Sequence, residues 1–109
     1  MYWVQYMIYN KLVRDLIPDI IALDGKSAIT RMLSDDEFKT ELDNKLLEEV
    51  GEYLESNDIE EIADILEVLM AIIKLKGFSY IDVENVMKEK ANKRGGFMKK
   101  IYLEEVKEI

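Results

Sequence analysis

Pro18 is the chain's single proline, and five glycines are its only other strong breakers of regular structure. So little punctuation favours long helices over a protein of short strands and turns. The 109 residues suit one domain, 1–109, built around one core. Hydrophobic residues at 49% and charged residues at 35% describe a globular chain rather than a disordered one. No internal repeat, linker or low-complexity stretch divides it.

Caps and periodicity place the elements. Leu12, Val13, Leu16, Ile17, Ile20 and Ile21 recur at helical spacing, with Pro18 suited to the first turn of a short helix ending before Asp24-Gly25. Ser34-Asp35-Asp36-Glu37 is a capping box with an acidic first turn, opening a long helix to about Glu55. Ser56-Asn57-Asp58 reads as a turn. A second long helix runs from about Ile59 to Lys76 and stops at Gly77. Ser79 caps another, from Tyr80 to about Arg94, which Gly95-Gly96 ends. The expected fold is mainly α, an antiparallel bundle of about four helices. The segments 27–33 and 101–103 are candidates for a small β element, pairing with each other or with the N-terminus.

Two residue types are missing, and their absence narrows the chemistry. Without cysteine there is no disulfide framework, thiol chemistry or zinc finger. Without histidine there is no Ser–His–Asp triad and no imidazole base. Any metal must be held by carboxylates, carbonyls and water, which selects Mg²⁺, Mn²⁺ or Ca²⁺. A net charge of −8 makes the chain a poor general binder of nucleic acid. No apolar run reaches the roughly 18 residues of a membrane span, and the first eight residues do not read as a signal peptide. The expected location is the cytoplasm, with no membrane partner.

Acids and bases are segregated along the chain. Residues 34–67 hold 14 acids and two bases, a net of −12, whereas residues 88–100 hold six bases and one acid, a net of +5. Some of the acids lie on the wrong side of their helices. At ~100° per residue, Phe38, Leu42, Leu46, Val50 and Tyr53 form a stripe with Glu49 at its centre. Glu52 flanks that stripe and Glu48 points away. On the next helix Glu61, Asp64, Val68, Ala71 and Leu75 share one line. A turn centred between Ser56 and Asn57 makes Glu49 equidistant with Asp64, and Glu52 with Glu61. A helical hairpin therefore brings four carboxylates to one level, facing each other.

Burying one unpaired carboxylate costs several kcal/mol, and four together also repel. Lys39 and Lys45 are the only bases in the acidic segment, too few to neutralise it. Glu49, Glu52, Glu61 and Asp64 are thus candidate ligands for Mg²⁺, with Mn²⁺ as the alternative. Ordinary solvated acids are the competing reading, weakened by the matched register of two pairs on apolar stripes.

At these residues the sequence resembles the MazG-type all-α nucleoside triphosphate pyrophosphohydrolases. Their pattern E-E-x-x-E, then E-x-x-D, reads here as Glu48-Glu49-x-x-Glu52 and Glu61-x-x-Asp64, and its inward metal ligands match the four carboxylates above. Tyr9-Asn10-Lys11-Leu12-Val13-Arg14-Asp15-Leu16-Ile17-Pro18 and Lys90-Ala91-Asn92-Lys93-Arg94-Gly95-Gly96-Phe97 resemble the opening and closing stretches of the phosphoribosyl-ATP pyrophosphohydrolase-like subgroup. The resemblance implies an Mg²⁺-dependent hydrolase that cuts a nucleotide between its α- and β-phosphates, leaving a monophosphate and pyrophosphate. Glu49 or Glu52 would orient the attacking water.

A triphosphate carries about four negative charges, so cations beyond the metal are needed. Lys90 and Arg94 share a helix face and, with Asn92, are the first candidates for substrate contacts; Lys11 and Arg14 are the second. Lys88, Lys93, Lys99 and Lys100 read as solvated. Two other functions stay open: the histidine-pathway reaction on phosphoribosyl-ATP, and a non-catalytic helical module for oligomerisation or regulation. The second long helix, apolar around most of its circumference, points to a homodimer or homotetramer.

Overall fold

Ser34 opens the longest helix. In the computed structural model, which describes residues 6–109, its hydroxyl accepts the Glu37 backbone N–H, and the Glu37 carboxylate accepts the Ser34 N–H. Arg31 donates to the same carboxylate at 2.7 Å, tying the preceding loop to the cap. That guanidinium, with the Ser34 donors, lowers the Glu37 carboxyl to about 2. Four helices form among the described residues: α1 (Ile17–Leu23), α2 (Asp35–Ser56), α3 (Ile59–Leu75) and α4 (Tyr80–Arg94). Pro18 sits in the first turn of α1. Ser79 and Asp82 make a second reciprocal capping box at α4.

The fold is mainly α, and its centre is the antiparallel hairpin of α2 and α3. Only Asn57 and Asp58 separate the two helices. Asn57 takes the left-handed conformation at φ 58° and donates its N–H to the Tyr53 carbonyl at 2.7 Å, closing α2. Asparagine tolerates that conformation better than most residues with a side chain, which permits so short a reversal. Among the described residues, Leu42 from α2 and Val68 from α3 are the buried apolar side chains. The expected α3 line of Glu61, Asp64, Val68, Ala71 and Leu75 is buried or half-buried along its whole length. On α2, Leu46 and Tyr53 are half-buried, but Val50 lies on the exposed flank.

α4 packs against α3 and not against α2, so the hairpin is covered on few sides. The radius of gyration is 20.0 Å, against about 13 Å for a compact chain of this size. No strand forms among the described residues, which corrects the expected β element. Residues 27–33 and 101–103 run without a partner at ladder spacing, and Ile29 and Met32 are almost wholly exposed. Pairing of either segment with residues 1–5 lies outside the described residues. No helix among the described residues is long and apolar enough to cross a membrane.

Removing the α2 cap tests its contribution. Ser34→Ala should cost about 1 kcal/mol of stability. Chemical denaturation checks it: the midpoint falls while the slope stays unchanged.

Candidate metal centre

The hairpin register brings Glu49 of α2 opposite Glu61 and Asp64 of α3. One carboxylate oxygen from each of the three lies within 4.8 Å of the others. Glu49 is only 6% exposed, and Glu61 and Asp64 are half-buried. Glu49 Oε2 is buried and has no hydrogen-bond partner. Burial raises the Glu49 carboxyl above its usual range, and the adjacent Glu52 carboxyl raises it further, with Lys45 opposing both. Glu52 itself is exposed and stands beside Glu49, outside the three-oxygen group.

Three cations surround the acids. Half-buried Lys45 bridges Glu48 and Glu49, at 3.4 Å to each. The segment preceding α1 supplies the other two. Lys11 Nζ donates to Glu48 Oε1 at 2.9 Å, and Arg14 donates to Asp64 Oδ1 at 2.6 Å. The Lys11 hydrogen bond is the main reason the Glu48 carboxyl is lowered, and Glu48 in turn raises Lys11. The Arg14 guanidinium is raised, chiefly by its bond to Asp64. Lys11 also lies 5.9 Å from the centre of the Tyr9 ring. Between these groups is an open pocket of about 200 Å³, lined by Lys11, Val13, Arg14, Ile17, Lys45, Glu49 and Asp64. That is smaller than the ~300–1,000 Å³ usual for a whole small-molecule ligand. It has room for a group the size of a phosphate and an ion.

The structure therefore gathers Lys11, Arg14, Glu49, Glu61 and Asp64 at one place, with Glu52 at its edge. It does not bring Lys90, Asn92 or Arg94 there. Those three are exposed near the end of α4, and no hydrogen bond or ion pair among the described residues joins them to the carboxylates. α4 starts from the end of α3 opposite Glu61 and Asp64 and touches α3 too little to run back along it to the site. Lys88 and Lys93 pair along α4 with Glu84 and Glu89, at 2.9 and 3.0 Å, as solvated helix charges do. Glu48 departs from its expected outward position, because Lys11 and Lys45 hold it half-buried. Lys45 is a site residue that counting charges passed over. Its signal was the spacing of three and four residues to Glu48 and Glu49. Trp3 lies outside the described residues.

No family model matches the chain, and no solved structure matches it. A protein of Mycolicibacterium smegmatis, described only as uncharacterized, is 52% identical over 42 residues. The match covers 38% of this chain and 43% of that relative, less than half of either.

The carboxylate group fits a hard divalent cation on two counts: an all-oxygen donor set, and a buried oxygen without a partner. The raised Glu49 gives a test in divalent-free buffer. Its carboxyl is higher in the folded chain than its ordinary 4.5, so its ionisation costs stability that is lost as pH rises through the raised value. Glu49→Gln should stabilise the metal-free protein at neutral pH by roughly 1–3 kcal/mol. The difference should close as the pH falls below the ordinary carboxylate range. Melting curves across that range check the sign; a variant equally stable at every pH contradicts it.

Proposed function

We propose that the protein is an Mg²⁺-dependent pyrophosphohydrolase acting on a nucleoside triphosphate or modified nucleotide, cutting between the α- and β-phosphates. The single observation that carries this reading is the three-carboxylate group with its unpartnered buried oxygen, set beside two cations that open onto a pocket. The resemblance of Glu48-Glu49-x-x-Glu52 and Glu61-x-x-Asp64 to the MazG pattern supports the same reading. It is a resemblance of motifs, and the chain's partial match to an uncharacterized protein adds no activity to it.

Glu49, Glu61 and Asp64 would hold the ion, with Glu52 as an outer candidate and Mn²⁺ as the alternative metal. Magnesium so held supplies neutralisation of phosphate charge and a more acidic water. The protein's own groups do the rest. Arg14 and Lys11 bind phosphate oxygens from the pocket wall. Arg14 uses one edge of its guanidinium on Asp64, leaving further N–H donors for an anion. Glu52, exposed beside Glu49, orients the attacking water and takes its proton. Water adds to the α-phosphorus as the bond to the bridging oxygen breaks, and pyrophosphate leaves. No histidine is needed in this scheme.

A second reading has an observation of its own. Arg14 on Asp64 and Lys45 on Glu49 neutralise part of the cluster without metal, as a purely structural ion-pair network would. That reading makes the chain a non-catalytic helical module.

Incubation with a nucleotide panel and Mg²⁺, assayed for pyrophosphate, separates the two. The hydrolase reading expects pyrophosphate release that falls about a hundredfold or more in Glu49→Ala and Asp64→Ala. Phosphoribosyl-ATP belongs in the panel, because its turnover against ordinary triphosphates identifies the substrate class. No release from any nucleotide, or full activity in both variants, sinks the reading. Arg14→Ala should lower kcat/KM by roughly 10- to 100-fold, the worth of one charge-assisted hydrogen bond. Magnesium should also raise the melting temperature of the wild type, by about 2.7 kcal/mol of stability at a hundred times its Kd. The ion-pair module predicts no such rise.

A further inference from the structure

The pocket beside the carboxylates, at about 200 Å³, is too small to enclose a sugar and a base together with a phosphate. A nucleotide that places a phosphate there presents its base at the rim. Lys11 stands on that rim, lining the pocket and donating to Glu48 Oε1 at 2.9 Å. Its Nζ also lies over the Tyr9 ring, 5.9 Å from the centre. Asn10, between the two residues, turns the backbone through the left-handed region at φ 45°. The ring thus stands about one sugar's width from the lysine that faces the pocket.

Tyr9 does not use its ring for packing. The side chain is 63% exposed, whereas Tyr53 in the hairpin seam is half-buried. The Tyr9 hydroxyl donates to Met7 Sδ at 3.8 Å, a tether at the far end that leaves most of the ring in solvent. Phe97 and Tyr102 are more exposed still. Among the described residues, however, Tyr9 is the ring with a pocket-lining cation over it.

We propose, on the nucleotide reading of this pocket, that Tyr9 is the platform on which the base stacks, and that the site takes purine nucleotides in preference to pyrimidine ones. An exposed aromatic face recognises a base by area. Every base has a π face, and the larger purine covers more of the ring. Met7 and Asn10 flank Tyr9 and are themselves exposed, so a base lying on the ring keeps its polar edges in water. Lys11 sits between the two ends of the ligand, its ammonium attracted to the π face as well as to phosphate.

Calorimetric titration of the full chain in Mg²⁺ tests this. The ligands are the α,β-methylene analogues of ATP and CTP, which resist the expected cut, and inorganic tripolyphosphate, which has no base. The wild type should bind the ATP analogue more tightly than the CTP analogue. Tyr9→Ala should weaken the ATP analogue by about 5- to 100-fold, the effect of one lost base–aromatic stack, and leave tripolyphosphate unchanged. Tyr9→Phe keeps the ring and should bind close to wild type. Both variants should melt with the wild type, because the side chain is exposed. Equal weakening of tripolyphosphate in Tyr9→Ala would mean a displaced segment, not a lost stack, and overturns the proposal. So does an unchanged affinity for the ATP analogue, a CTP analogue bound as tightly as the ATP one, or a Tyr9→Phe as weak as Tyr9→Ala. A wild type that binds none of the three ligands ends this proposal and the hydrolase reading together. Base-dependent binding through Tyr9 with no pyrophosphate released from any nucleotide ends the hydrolase reading alone.

Discussion

The register of the α2–α3 hairpin is the constraint on which the site depends. Asn57 in the left-handed region reverses the chain in two residues, and that fixes Glu49 across from Glu61 and Asp64. A slip by one residue would turn each helix by ~100° and take the carboxylates off the shared face. With the register held, three acids converge in a half-buried place, where their repulsion must be offset. Lys45 offsets it from within α2, and Lys11 and Arg14 offset it from a segment that sits there because the acids attract it. The Glu49 oxygen that none of them reaches is the measure of what is left uncompensated.

The same hairpin explains the extended outline. Two helices packed along one seam bury one line of side chains on each, and here only Leu42 and Val68 are buried apolar residues among the described ones. The charged side is occupied by the chain's own N-terminal segment. The opposite side carries leucine, isoleucine and methionine into solvent.

Much of this was legible beforehand. The helix limits followed from Ser34, Ser79, Gly77 and Gly95, because capping hydrogen bonds and glycine stops act within one turn and need no tertiary partner. The meeting of Glu49, Glu61 and Asp64 followed from helical periodicity and one turn position. The failures were at longer range. The β element at 27–33 and 101–103 rested on local extension, but a strand exists only when another segment lies alongside it. Lys90, Asn92 and Arg94 were candidates for phosphate or sugar contacts from a shared helix face and the charge a triphosphate needs, and α4 does not run back along α3 to bring them to the carboxylates.

By itself the sequence determined the α class, the ends of the long helices and the acids that turn inward, since each depends on spacing within a helix or across a single tight turn. Only the tertiary structure decided which cations meet those acids. Lys11 lies 37 residues from Glu48, and Arg14 lies 50 from Asp64. No periodicity links positions so far apart; electrostatic attraction between a folded hairpin and a passing segment does.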